Sequence, residues 1–155
     1  MITGQRTAAL IAAVALVAGS LSGCESAEER AAEHDLAQAA DQTTCRADAS
    51  PASTPYGDGF PDGWPFPPQT TVFHAEDRGE DGTIVTAVSS APFKDVLAFL
   101  NGPVADAGFE VEKGETEEHD AEAEWSGGGF RGRWAIRESA QCSGETVIQV
   151  LSTRS

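Results

Sequence analysis

Apolar and polar positions along the second half of the chain fall into short, distinct runs. Thr70 to Ala75 and Thr83 to Ser89 are strand-like, and the charged segment between them ends in the turn dipeptide Asp81-Gly82, which predicts a hairpin. A helix is expected from near Ser90, with Pro92 in its first turn. There Phe93, Val96, Leu97, Leu100 and Val104 recur at helical spacing and make one apolar face. Gly102-Pro103 should kink or break this helix, and Gly108 is placed to cap it, with Phe109 folding back onto the last turn.

After Phe109 to Lys113 comes an acidic stretch from Glu115 to Glu124, then a strand through Ala121, Ala123 and Trp125 and a turn at Gly127-Gly128-Gly129. The next run sets Phe130, Gly132, Trp134 and Ile136 against Arg131, Arg133, Ala135 and Arg137, a strand with one core face and one basic face. Thr146 to Thr153 supplies a last strand through Val147, Ile148, Val150 and Leu151. The fold class expected is α+β: an antiparallel sheet of four to five strands with one helix on one face, in the order β-β-α-β-β-β.

Between Ala47 and Pro68 proline, glycine, serine and aspartate dominate, and Tyr56, Phe60, Trp64 and Phe66 are interspersed. Pro61, Pro65, Pro67 and Pro68 exclude a helix or a central strand. Such a segment suits either a proline-rich ligand for an aromatic groove or a strap whose Trp64 and Phe66 plug the domain's own core. The strap is favoured, since an isolated exposed tryptophan beside a small core wastes apolar area.

The N-terminal part follows other rules. Arg6 precedes an unbroken apolar run from Ala8 to Ala18, the form of an export signal and too short for a permanent bilayer span. Leu21-Ser22-Gly23-Cys24 directly after it resembles the lipobox of bacterial lipoproteins. That resemblance implies cleavage before Cys24 and lipid on its sulfur, an anchor and not a catalyst, at the extracytoplasmic face of the cell membrane. Residues 25 to 44 are rich in helix formers, with a capping-box spacing at Ser26 and Glu29. Leu36 is their only large apolar side chain, so they read as a tether exchanging between helix and coil, with His34 solvated. The expected organisation is therefore a signal over 1–23, an acidic tether and linker over 24–59 and a small domain over 60–155. Over about residues 60 to 153 the chain also resembles small domains of bacterial lipoproteins: a Trp64-Pro65 lead-in, a hairpin, a helix ending in Ala107-Gly108-Phe109 followed by a strand, and then a meander. This second resemblance implies architecture and location only.

Charge narrows the partners. The formal net charge is −15, and loss of residues 1–23 removes one cation and no anion, bringing the rest near −16. Bulk electrostatics then oppose nucleic acid and anionic lipid. Of the three cysteines, Cys45 and Cys142 remain once Cys24 carries lipid, and in an oxidising compartment they should bond to each other. Their spacing lacks the close pairs of a zinc site.

Candidate chemistry is sparse. Arg131, Arg133 and Arg137 could form an anion- or partner-binding face, or could pair with Glu122 and Glu124 across strands. His119-Asp120, among Glu115, Glu117, Glu118 and Glu122, could offer ligands to a divalent cation or serve a hydrolase, although a solvated acidic edge is the simpler reading. The loop from Glu76 to Gly82 lacks the EF-hand pattern, and His74 belongs to the polar face of its strand. Gly127-Gly128-Gly129 lacks the Lys-Ser or Lys-Thr of a phosphate loop, and no Gly-x-Ser-x-Gly elbow is present. No cofactor is expected. The function these residues suggest is a lipid-anchored envelope module that binds a partner or ligand without catalysis. The alternatives are a cation-dependent module at His119 and a structural subunit of an envelope complex.

Overall fold

The computed structural model describes residues 44–155, and the expected export signal, Cys24 and the expected tether up to residue 43 lie outside them. Six antiparallel strands form one sheet: β1 (Thr70–Asp77), β2 (Thr83–Ser89), β3 (Glu110–Thr116), β4 (Asp120–Gly127), β5 (Phe130–Glu138) and β6 (Thr146–Arg154). Helix α1 (Phe93–Asn101) and the short α2 (Pro103–Asp106) connect β2 to β3. The spatial order is β1-β2-β6-β5-β4-β3, so a hairpin and a four-strand meander meet where the last strand pairs with β2.

The α+β class and the antiparallel sheet agree with the sequence reading, but the strand number and the order β-β-α-β-β-β do not, since four strands follow the helices. Four to five strands are expected and six are present, because Glu110 to Thr116 forms an edge strand on β4. Its charged residues argue locally for a loop. Pairing overrides that preference, since Val111 lies opposite Trp125 and Thr116 opposite Ala121, while Glu115 falls opposite Glu122 on the solvent side. A bulge between Val111 and Gly114 bends this edge, and another lies between Val72 and His74 on the edge strand β1.

Gly102 divides the helix as expected. Pro103 opens α2, and Gly108, at φ +92°, takes the left-handed conformation that ends it. The Phe109 amide then donates to the Val104 carbonyl at 3.2 Å, turning the phenyl ring back into the core. Helix α1 starts later than near Ser90, with Pro92 as its extended N-cap residue, and it buries Phe93, Val96 and Leu100. Leu97, assigned to the same face, is half-buried.

One face of the sheet carries the core. Val85 and Ala87 of β2, Ile148 and Val150 of β6, Trp134 and Ile136 of β5, and Ala121, Ala123 and Trp125 of β4 pack there under α1, α2 and the strap. Trp64 closes one side of this core. Its ring centroid lies 4.4 Å from Trp125 and 5.1 Å from Phe109, and Phe60 stands beside it at 6.4 Å. The strap reading therefore holds, with Trp64 only 6% exposed and Phe66 half-buried against the same cluster.

The strap continues toward the N-terminus along the sheet. The Ala52 amide donates to the Val72 carbonyl at 2.8 Å on the free edge of β1, and Arg46 Nε donates to the Gln69 carbonyl at 2.8 Å. Cys45 is joined to Cys142 in the β5–β6 connection, with Cα atoms 5.7 Å apart. The part of the expected linker from Thr44 to Gly59 is thus held against the domain.

Candidate interaction face

The antiparallel register assigns every strand residue to one of two faces. On the face away from the helices, β2 presents Ile84, Thr86 and Val88, which lie opposite Leu151, Gln149 and Val147 of β6. On β1, His74 stands opposite Thr86 and Glu76 opposite Ile84. On the other flank β5 presents Arg131, Arg133, Ala135 and Arg137, opposite Thr153, Leu151, Gln149 and Val147. Beyond them β4 presents Asp120, Glu122, Glu124 and Ser126. This face reads across the sheet as an apolar strip, a row of arginines and a row of carboxylates.

The three arginines singled out by alternation are brought onto this one face, and their neighbours are the acidic residues expected. Arg133 Nη1 lies 3.7 Å from Glu122 Oε1, while Glu124 is directly opposite Arg133 and Asp120 opposite Arg137. Pairs of this kind at a surface contribute about 0–1 kcal/mol. Arg131 and Arg137 are exposed and Arg133 is half-buried. The row thus presents guanidinium groups that suit carboxylate recognition, in a chain of net charge −15.

The apolar strip carries a different signal. Ile84, Thr86 and Val88 are 0% exposed, Val147 2% and Gln149 3%, yet none belongs to the core cluster on the helical face. Among the described residues, Thr86 Oγ1 and Gln149 Nε2 are buried without a hydrogen-bond partner. Sequence reasoning did not mark these positions as functional. The signal was available, because the near-continuous apolar runs in β2 and β6 are the pattern of strands buried on both faces.

The remaining candidates are dispersed. His119, in the turn between β3 and β4, donates through Nδ1 to Glu138 Oε2 at 2.9 Å, with Glu118 at 3.7 Å from Nε2, and the ring is 65% exposed. Its main-chain carbonyl also accepts from the Glu138 amide, so the contact staples the turn to the end of β5. Among the described residues, the three ligand-type side chains that cluster are Cys45, Cys142 and Glu145, and the two sulfurs there are bonded to each other. Glu145 instead accepts from the Arg46 amide at 2.9 Å.

Gly127-Gly128-Gly129 is a hairpin turn between β4 and β5, with φ values of +157°, +61° and +82°. A shallow groove of about 430 Å³ lies between the strap at Ala52 to Gly57 and β1 at Phe73 to Asp77. Burial pushes the Tyr56 phenol, which borders it, above its ordinary pKa. No described helix is long and apolar enough to cross a membrane. No protein-family model, no curated protein and no solved structure matches the chain.

Proposed function

We propose that this chain is a lipid-anchored cell-envelope protein, held at the extracytoplasmic face of the membrane through Cys24, whose domain is a non-catalytic interaction module. The observation that carries the reading is the arginine row of β5 on the helix-free face, a concentrated basic feature on a strongly acidic protein. A row of guanidinium groups with exposed members at Arg131 and Arg137 suits a partner surface rich in carboxylates. The anchor restricts the search for such a partner to the membrane surface, which raises its effective concentration.

Crosslinking in intact membranes, followed by mass spectrometry of the attached peptides, tests both halves. An Arg131→Glu/Arg133→Glu/Arg137→Glu variant is expected to lose the partner adducts while keeping its melting temperature. Unchanged adducts refute the arginine face. Cys24→Ser is expected to release the protein from the membrane fraction, and retention there refutes the anchor.

A further inference from the structure

The strap carries more aromatic surface than closing the core uses. Phe60 and Trp64 are 5% and 6% exposed, whereas Tyr56 and Phe66, packed against the same cluster, stay half-buried and leave ring area open. All four rings line a pocket of about 220 Å³, and Asp62 lines it with them. We propose that this pocket binds a small free organic cation of the quaternary ammonium class.

Ring geometry and charge both select a cation. The face of an aromatic ring is negative, and a cation within about 6 Å of its centroid is attracted to it. The centroids of Tyr56 and Phe60 are 5.7 Å apart, and each lies 6.4 Å from that of Phe66. One charge set over this triad can therefore lie within about 6 Å of all three centroids. The Asp62 carboxylate adds a full negative charge to the lining, with Asp58 exposed in the same segment. No lysine or arginine occurs from residue 47 to residue 77, so the strap has no cation of its own to neutralise them, and the chain as a whole is at −15. An anion would meet repulsion at this pocket, and a neutral apolar molecule would leave the carboxylate unused.

Size and hydration narrow the class. The pocket is smaller than the roughly 300–1,000 Å³ of drug-sized sites, which suits a compact head and not a long chain. A primary ammonium is strongly hydrated, and ring faces replace its water poorly. A methylated ammonium has no N–H donors to satisfy and presents methyl groups to the rings, so it loses least on entering.

The test titrates choline chloride into the purified full chain in nonionic detergent at fixed ionic strength, following saturation transfer to the choline methyl protons. Saturable binding is expected, and its absence overturns the proposal. The neutral isostere 3,3-dimethylbutan-1-ol is expected to bind at least about tenfold more weakly, and equal binding overturns the cation. Glycerophosphocholine, which carries the phosphate of a lipid headgroup, is expected to bind more weakly than choline. Tighter binding assigns the pocket to a headgroup and overturns the free cation. Asp62→Asn, at an exposed position, is expected to weaken choline about 2- to 5-fold, and Tyr56→Leu about 3- to 30-fold. Unchanged affinity in both variants, with melting temperatures showing that they fold, also overturns the proposal. These readouts leave the arginines of β5 intact, so this site and the interaction face stand or fall separately.

Discussion

Trp64→Ala removes the side chain on which the strap depends. The indole is 6% exposed and contacts Trp125 of β4 and Phe109, which follows α2, at centroid separations of 4.4 and 5.1 Å. Truncating a buried tryptophan to alanine costs about 3–5 kcal/mol, combining lost transfer free energy with the cavity left behind. Relaxation of the strap limits the cavity, since the segment from Pro61 to Pro68 has no ladder hydrogen bonds holding its backbone in place; loss of the paired aromatic contacts works in the other direction, at about 0.5–1.5 kcal/mol each. For a domain of this size about 4 °C of melting temperature accompanies each kcal/mol, so the expected fall is about 10–20 °C. Thermal melting by circular dichroism, with the disulfide intact, measures it. Phe66→Ala, at a half-buried ring, should produce a smaller fall in the same direction. A Trp64→Ala melting temperature within about 3 °C of the parent would refute the strap and restore the segment as a ligand for another protein's groove.

Reduction of Cys45–Cys142 opens a loop with a sequence separation of 97, and on the chain-entropy account it should cost about 4–5 kcal/mol, read as a lower denaturant midpoint in the presence of a thiol reductant. An unchanged midpoint would contradict it. Gly132→Ala should destabilise by about 1–3 kcal/mol, because a Cβ there would collide with the Leu151 carbonyl on the neighbouring strand, while Gly63→Ala, which has open space around it, should be close to neutral. Equal effects in a denaturant titration would count against the register at β5–β6. Tyr56 is the only tyrosine in the chain, so its tyrosinate absorbance can be followed alone. Its folded-state pKa is raised by burial, so the phenol favours its neutral form in the fold; the resulting stability is fully present below the unfolded pKa and is lost as pH rises through the folded one. The absorbance should rise at higher pH in the folded protein than in urea, and coincident curves would show that the strap leaves the ring in water.

Much of the local structure could be read from the chain. The spacing of Phe93, Val96, Leu100 and Val104 defines the buried side of the helix, Gly102-Pro103 its break and Gly108 its end, because these depend on contacts within a turn or two. Alternation in Phe130 to Arg137 placed Trp134 and Ile136 inside and the arginines outside for the same reason, since side-chain direction in a strand repeats every two residues. The parity of the cysteines pointed to the Cys45–Cys142 bond without any knowledge of the path between them.

Tertiary structure decided what those periodicities do not contain. Whether Glu110 to Thr116 is a loop or a strand depended on β4 offering Trp125 and Ala121 opposite Val111 and Thr116, a partner that lies beyond a turn and is invisible to a local window. The central position of β6, between a hairpin made early in the chain and a meander made late, is a non-local pairing. That position places β2 and β6 in the interior of the sheet and sets Thr86 and Gln149 beside each other on the second face. Local pattern determined which way each side chain points; only the order of the strands decided what it points at.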